Sequence, residues 1–392
     1  MQNFNNRLSK SAMLEAAQLN GTPIYVNSKA SLLTQASELA NLALPFGFIP
    51  RYAAKANMNP EIVRLFTQQG LQFDASSSYE AAALIELGVK PASISLSSQQ
   101  PAHNLEELLR AGVLYTATSF HQLDLFLQSK ARPNTVGLRV NPGVGAGENN
   151  RTTTGGVNSS FGLWHDYVDQ ALNQAAAQAV KIDRLHIHYG SGASPDIWEG
   201  VIDSALQIAH QMPDVTSLDI GGGFKVSRYS GEKEANLTNI SEIFSQKLIQ
   251  FAESTGRRLQ LEIEPGTWLV AHAGTLLAEV VDIVDTGADG RVFLRVNTGM
   301  NDFIRPTMYG AQHEIEILND ALDTEQYVVV GHNCETSDIL TPAPGNPEEI
   351  LPRQLSKASI GDLIAIYDTG AYGRAFAVSG FNSFPSAKEI LV

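Results

Sequence analysis

One pattern repeats eight times along the chain: a short run of branched or apolar residues ends in small or polar ones, and a stretch with helical spacing follows. The runs are 48–57, 71–77, 93–98, 114–119, 136–142, 184–191, 217–223 and 259–266, and segments such as 60–69, 78–87, 104–111 and 239–254 fill the gaps. Eight successive βα units are what a (β/α)8 barrel of the TIM type requires, and an open doubly wound sheet is the competing layout. A barrel collects its chemistry at the carboxyl ends of its strands. The polar residues Lys55, Asp74, Arg139, His188, Gly221, Gly222, Gly223 and Glu264 fall there.

The rhythm has borders on both sides. A β-like run at 23–27, preceded by a helical stretch, leads into an amphipathic helix over 28–44. Beyond 266 the runs 276–285, 291–297, 327–331 and 363–367 are strand-like without helices between them, so a β-rich second domain is expected. The reading is an α/β barrel over 28–270, with 1–27 plus 271–392 forming the β-rich domain. At 392 residues and 43% hydrophobic content the chain can bury two cores. A glycine- and threonine-rich connection, 143–162, reads as either a functional loop beside the active face or a surface flap.

Several classes are disfavoured. Apolar runs such as 276–281 fall far short of the roughly 20 residues that a bilayer span needs. The polar start, 1–10, shows no secretory h-region, so the cytoplasm is the expected compartment. A single cysteine, Cys334, excludes an intramolecular disulfide and any cysteine-rich metal site. Net charge is −14 with scattered basic residues, which argues against nucleic-acid and membrane surfaces.

Within this frame, four stretches carry chemistry. Lys55 in YAAKAN ends an apolar run, either as a solvated strand-end charge or as a desolvated amine that could condense with an aldehyde. The three glycines of DIGGGF expose backbone N–H groups suited to a phosphate, or form a tight turn. His186 and His188 in HIHYGSG share one side of a strand; no nearby cysteine or carboxylate is expected to complete a metal set, and ring stacking suits His188 better, with Ser191 beside it for phosphate. Glu262 and Glu264 in EIEPG share a side of an apolar strand and need a cationic partner, a protonated pyridine or an internal pair with Arg139 or Lys55. Further along, Cys334 beside Glu335 and Asp338 is either an acid–base group or inert packing.

Together these stretches resemble the fold-type III pyridoxal-phosphate decarboxylases, most of all the diaminopimelate branch, from Tyr52 to Val392. The resemblance implies pyridoxal 5'-phosphate as cofactor and catalytic roles for Lys55, His188 and Cys334. It implies that Lys55 carries the cofactor's aldehyde, with Asp74 and Glu80 of FDASSSYE near it. His188 would stack on the ring, with Arg139 also at the cofactor, Ser191, Gly221, Gly222, Gly223 and Tyr372 would take the phosphate, and Glu264 would face the pyridine nitrogen. Arg305 and Tyr309 of NDFIRPTMYG, with Glu335, Asp338 and Tyr372, would bind substrate. Cys334 and Glu335 would come from the partner subunit of a homodimer.

Two departures stand out. Thr267 follows Glu-Pro-Gly where the family carries arginine, removing a charge-assisted contact on the order of 1.5–3 kcal/mol. Thr336-Ser337 replaces Ser-Gly in the interface motif. The expected activity is decarboxylation of a diamino acid, meso-2,6-diaminopimelate to L-lysine first, with D-lysine, D-ornithine, a carboxynorspermidine-like molecule or a siderophore precursor as alternatives. An amino-acid racemase and a cofactor-carrying regulatory protein are the readings from other classes.

Overall fold

A computed structural model of the chain describes residues 7–145 and 154–392. It divides into two compact units: Ala36–Val226 with Lys233–Trp268, and Met1–Gln35 with Ser227–Glu232 and Leu269–Val392. Segments 28–35 and 227–232 fall with the second unit, a detail that chain order alone does not anticipate.

Strand β1 (Ile24–Asn27) belongs to the second unit; the first contains β2 (Phe48–Ala53), β3 (Gln72–Ala75), β4 (Ile94–Ser97), β5 (Leu114–Ala117), β6 (Thr135–Asn141), the two-residue β7 (Leu163–Trp164), β8 (Lys181–His186), β9 (Ser217–Asp219) and β10 (Gln260–Ile263). Parallel pairing runs β2-β3-β4-β5-β6-β8-β9-β10 and closes from β10 onto β2, with β7 attached to β6 outside the ring. The ring is the eight-stranded barrel expected, and the open sheet is excluded.

The first strand is shorter than its apolar run. It stops at Ala53, and Ala54–Ala56 form one 3-10 turn that carries Lys55.

Register determines which residues line the barrel, because in-register neighbours on parallel strands share a face. Ala53 lies beside Asp74 and Asp74 beside Ser95. Arg139 lies beside His186, His186 beside Asp219, and Asp219 beside Glu262. The alternate positions Tyr52, Phe73, Leu96, Leu138, Leu185, Leu218 and Leu261 are fully buried on the outer face, where the helices pack.

The interior is polar where barrels usually stack branched apolar side chains. At its lower level Arg51 Nε donates to Glu262 Oε2 at 2.5 Å, Ser217 Oγ donates to Glu262 Oε1 at 2.5 Å, and Arg184 Nη1 lies 3.7 Å from Glu262 Oε2. Arg184 also donates to Thr116 Oγ1, and Gly137 leaves the room: a Cβ there would meet Thr116 and Arg184. Glu262 is therefore paired with Arg51 and Arg184, not with the Arg139 or Lys55 expected as its internal partners.

The second unit is built on β11 (Gly274–Asp285), followed by β12 (Val292–Val296), β13 (Ile315–Ile317), β14 (Thr324–Val330), β15 (Pro342–Ala343), β16 (Asn346–Ile350), β17 (Arg353–Ser356), β18 (Leu363–Ile366) and β19 (Lys388–Leu391). Its main sheet runs β13-β18-β11-β12-β14-β17; β1 pairs antiparallel with β11 and parallel with β19. Alternation along β11 divides its apolar residues between two cores. Leu276, Ala278 and Val280 pack with Leu294, Val296 and Phe303, while Leu277 joins Ile24, Val26 and Met13 of the helix Lys10–Asn20. No helix among the described residues is long and apolar enough to cross a membrane.

Candidate active site

At the carboxyl ends of the barrel strands the sequence brings its candidates together. Lys55 Nζ lies 3.6 Å from Asp74 Oδ2; the lysine side chain is 42% exposed and the aspartate 3%. The carboxylate thus draws the amine toward the strand ends, and the deep desolvation considered for Lys55 is not found. Glu80 is used differently: its carboxylate accepts the Ser76 N–H at 2.7 Å while its own N–H donates to Ser77 Oγ at 3.0 Å, capping the helix Ser78–Glu86.

One level down stands a cluster in which His186, Asp219 and Glu264 place one donor atom each within 4.8 Å of one another, all buried. His186 Nε2 is 3.7 Å from Glu264 Oε2. Carboxylates do therefore stand beside His186, contrary to the expectation that none would be near the histidine pair. The charges of Lys55 and Arg139 face the same cluster and oppose a cation there. Burial, with Asp219 and Asp74 adding to it, raises Glu264 well above the usual carboxylate range. Burial and the nearby Arg139 push His186 and His188 well below the ordinary imidazole value, so both rings are neutral at pH 7.

Arg139 lines the interior from β6, its guanidinium 4.9 Å above the Phe161 ring and its charge facing Glu264, Asp74 and Asp219. The described part of the 143–162 connection is anchored to the same end. Asn141 Oδ1 accepts the N–H groups of Gly143 and Gly156, and Thr154 Oγ1 donates to the His188 carbonyl at 3.0 Å. Residues 146–153 of that connection lie outside the described residues.

The glycine triplet is required by packing as well as by any ligand. A Cβ on Gly221 would strike the His188 ring, one on Gly222 the Glu264 carbonyl oxygen, and one on Gly223 the Gly190 carbonyl oxygen. Gly221 and Gly223 also have positive φ, +70° and +100°. The Gly221 N–H is committed to Asp219 Oδ1 at 2.9 Å, whereas the N–H groups of Gly222 and Gly223 make no hydrogen bond among the described residues. Sequence spacing did not single out Asp219; its place two residues before Gly221 on an inward face was the available signal.

These residues fit pyridoxal phosphate. His188 Nδ1, Asp74 Oδ1, Asp219 Oδ2 and Glu264 Oε1 are buried without hydrogen bonds, the condition of groups prepared for a polar ligand. Lys55 Nζ would carry the aldehyde, the N–H groups of Gly222 and Gly223 with the partly buried Ser191 would take the phosphate, and Glu264 would meet the pyridine nitrogen.

In the second unit the remaining candidates occupy three places. Arg305 and Tyr309 stand four residues apart on the one-turn helix Arg305–Tyr309, so they share a face. Tyr372 sits at φ +53° in a turn that begins at Asp368, itself at φ +60°. Arg7 Nη2 and His272 Nδ1 hold the two Asp368 oxygens at 2.8 and 2.7 Å, and Arg7 Nη1 reaches Glu314 at 2.7 Å. Cys334 is exposed, its N–H bonded to Asn382 Oδ1 at 2.7 Å. Glu335 is exposed beside it, and hydrogen bonds from the Ser337 N–H and hydroxyl hold its carboxyl below the usual range. Asp338 is buried and spends both oxygens, Oδ1 on the Met300 N–H of a separate segment and Oδ2 on Asn333 within its own loop.

Comparison with known proteins gives a consistent result. Residues 30–271 match the family model for the pyridoxal binding domain of pyridoxal-dependent decarboxylases. Diaminopimelate decarboxylase of Streptomyces coelicolor is 31% identical over 389 residues, covering 96% of this chain and 86% of that protein. The Escherichia coli K12 enzyme of the same name is 30% identical over 383 residues, covering 95% and 89%. A crystal structure of a diaminopimelate decarboxylase superposes with a TM-score of 0.90 at 30% identity, covering 98% of this chain and 92% of that one. The Helicobacter pylori enzyme complexed with L-lysine gives 0.86 at 26% identity, covering 97% and 93%. With the family model matched over residues 30–271 and relatives of 30–31% identity spanning nearly the whole chain, this chain belongs to the pyridoxal-dependent decarboxylases.

Proposed function

We propose that the protein decarboxylates meso-2,6-diaminopimelate to L-lysine. The observation that carries this reading is the extent of likeness: relatives of that name match at 30–31% identity across nearly the whole chain. Bound pyridoxal phosphate would supply an electron-accepting ring for the pair left on the α-carbon when CO2 departs. The protein's part is to orient and to move protons. Asp74 holds the Lys55 amine at the strand ends, His188 offers a neutral ring face, and Glu264 presents an oxygen to the pyridine nitrogen. Return of a proton to the α-carbon falls to Cys334 Sγ or Lys55 Nζ.

Arg305 and Tyr309, sharing a helix face, suit a distal carboxylate, and the low-lying carboxyl of Glu335 suits a distal ammonium. Tyr372 takes the phosphate, and Asp338 shapes the loop that bears Cys334 and Glu335. The exposure of Cys334 and Glu335 supports a homodimer in which each subunit lends them to its partner. A lysine-biosynthetic role in the cytoplasm follows from the same reading.

Thr267 favours a second reading, a diamino acid without a second carboxylate, because the family's arginine is missing there. A panel decides between them: CO2 release is measured with meso-diaminopimelate, D- and L-lysine and D- and L-ornithine. Preference for diaminopimelate, lost in Arg305→Ala through a raised KM, is the expected result. Turnover of the monocarboxylates alone overturns the substrate, and α-proton exchange without CO2 overturns the reaction. Lys55→Ala should abolish both CO2 release and the cofactor's lysine-linked absorbance band.

A further inference from the structure

Asp219 has no part in the roles assigned so far, yet it touches two of them. Its Oδ1 accepts the Gly221 N–H at 2.9 Å, fixing the turn whose next two N–H groups are available to phosphate. Its other oxygen, Oδ2, is buried without a hydrogen bond, as is Oε1 of Glu264. Asp219 and Glu264 belong to the cluster whose donor atoms lie within 4.8 Å, and the Glu264 N–H returns to the Gly221 carbonyl at 2.8 Å. One carboxylate thus joins the phosphate end of the cradle to the glutamate at its ring end.

We propose that Asp219 is a positioning residue in this reaction, anchoring the Gly221 turn through Oδ1 and, by its charge, setting how firmly Glu264 keeps the pyridine nitrogen of the cofactor protonated. This rests on the pairing of Glu264 with the ring proposed above.

The physical basis is Coulombic. A second negative charge facing Glu264 in a water-poor interior adds to the potential that favours a proton at the ring nitrogen. Other groups facing the cluster are Lys55 beyond β2, Asp74 on β3, Arg139 on β6, Arg184, His186 and His188 on and after β8, and Glu262 on β10. Arg139 and Lys55 oppose that proton and Asp74 supports it. Glu262 is neutralised by Arg51 and Arg184, and both histidines are neutral. Asp219 is therefore the negative group nearest in place, one of its oxygens lying within 4.8 Å of a Glu264 oxygen. Burial raises its carboxyl to about 6, so the charge it lends the cluster grows as pH rises through that region.

The test reconstitutes cofactor-free wild type, Asp219→Asn, Asp219→Ala and Glu264→Gln with pyridoxal phosphate labelled with 15N in the ring. It reads the dissociation constant and the ring 15N shift against pH. Asparagine can still accept the Gly221 N–H, so Asp219→Asn should bind within about threefold of wild type while its ring nitrogen loses the proton at least about one pH unit lower. Asp219→Ala loses the anchor as well and should bind about tenfold or more weakly. A ring titration in Asp219→Asn that superimposes on wild type overturns the charge role, and wild-type binding by Asp219→Ala overturns the anchoring role. If the ring titrates normally in Glu264→Gln too, the pairing of Glu264 with the ring has failed and this proposal falls with it. A shift in Glu264→Gln with none in Asp219→Asn removes Asp219 alone.

Discussion

Glu262 on β10 and Glu264 just past its end stand two residues apart, share one side of the chain and behave in opposite ways. Burial by itself raises Glu262, but Arg184 and Arg51 outweigh it and hold the carboxyl below its ordinary value. Glu264 has no such pair and is raised. Glu262→Gln should therefore leave two buried guanidiniums without their counter-charge and cost about 3–5 kcal/mol in urea unfolding. Asp219 gives a pH signature of its own. Its folded value, about 6, exceeds the reference value of 3.8, so the folded state holds the extra proton between them and stability falls as pH rises through that window. Midpoint temperatures of the cofactor-free protein from pH 4 to 8 should show that fall in wild type and a smaller one in Asp219→Asn. The two glutamates were legible in the sequence as a shared face. Their partners were not, because Arg51 and Arg184 reach Glu262 only through the register of strands distant in the chain.

Elements were read with uneven success, and the reason is burial. Each of the eight barrel strands overlaps one of the expected runs, β8 only over its last three residues, since strands covered by helices must be apolar on their outer face. In the second unit β13, β15, β16, β17 and β19 escaped notice. The sequence of β16, Asn-Pro-Glu-Glu-Ile, is mostly exposed and follows no apolar alternation, and β13 and β15 are three and two residues long. The turn bearing Tyr372 was legible as a motif, but not its support by Arg7, which lies at the far end of the sequence. Arg7 Nη1 and Nη2 bond Glu314 and Asp368 while the guanidinium lies 4.2 Å above the Tyr367 ring. Arg7→Ala should cost about 2–3 kcal/mol in chemical denaturation. It should also weaken cofactor retention, measured by dialysis, if Tyr372 serves the phosphate.

Over the whole molecule the chain passes from the β-rich unit into the barrel and returns twice, and β1 depends on strands encoded far away. Ile24 pairs with Leu277 of β11 on one side and with Lys388 of β19 on the other. Deleting 388–392 should expose one edge of β1. Hydrogen exchange should then quicken at 24–27 while barrel amides keep their protection. During synthesis the same arrangement imposes a wait. At about 5–20 residues per second, β1 emerges roughly ten to fifty seconds before β11 does. All four of its residues are buried in the finished fold. For that interval an Ile-Tyr-Val segment has no sheet to join, and the nascent chain offers a binding site to chaperones at its first strand while its barrel is still being made.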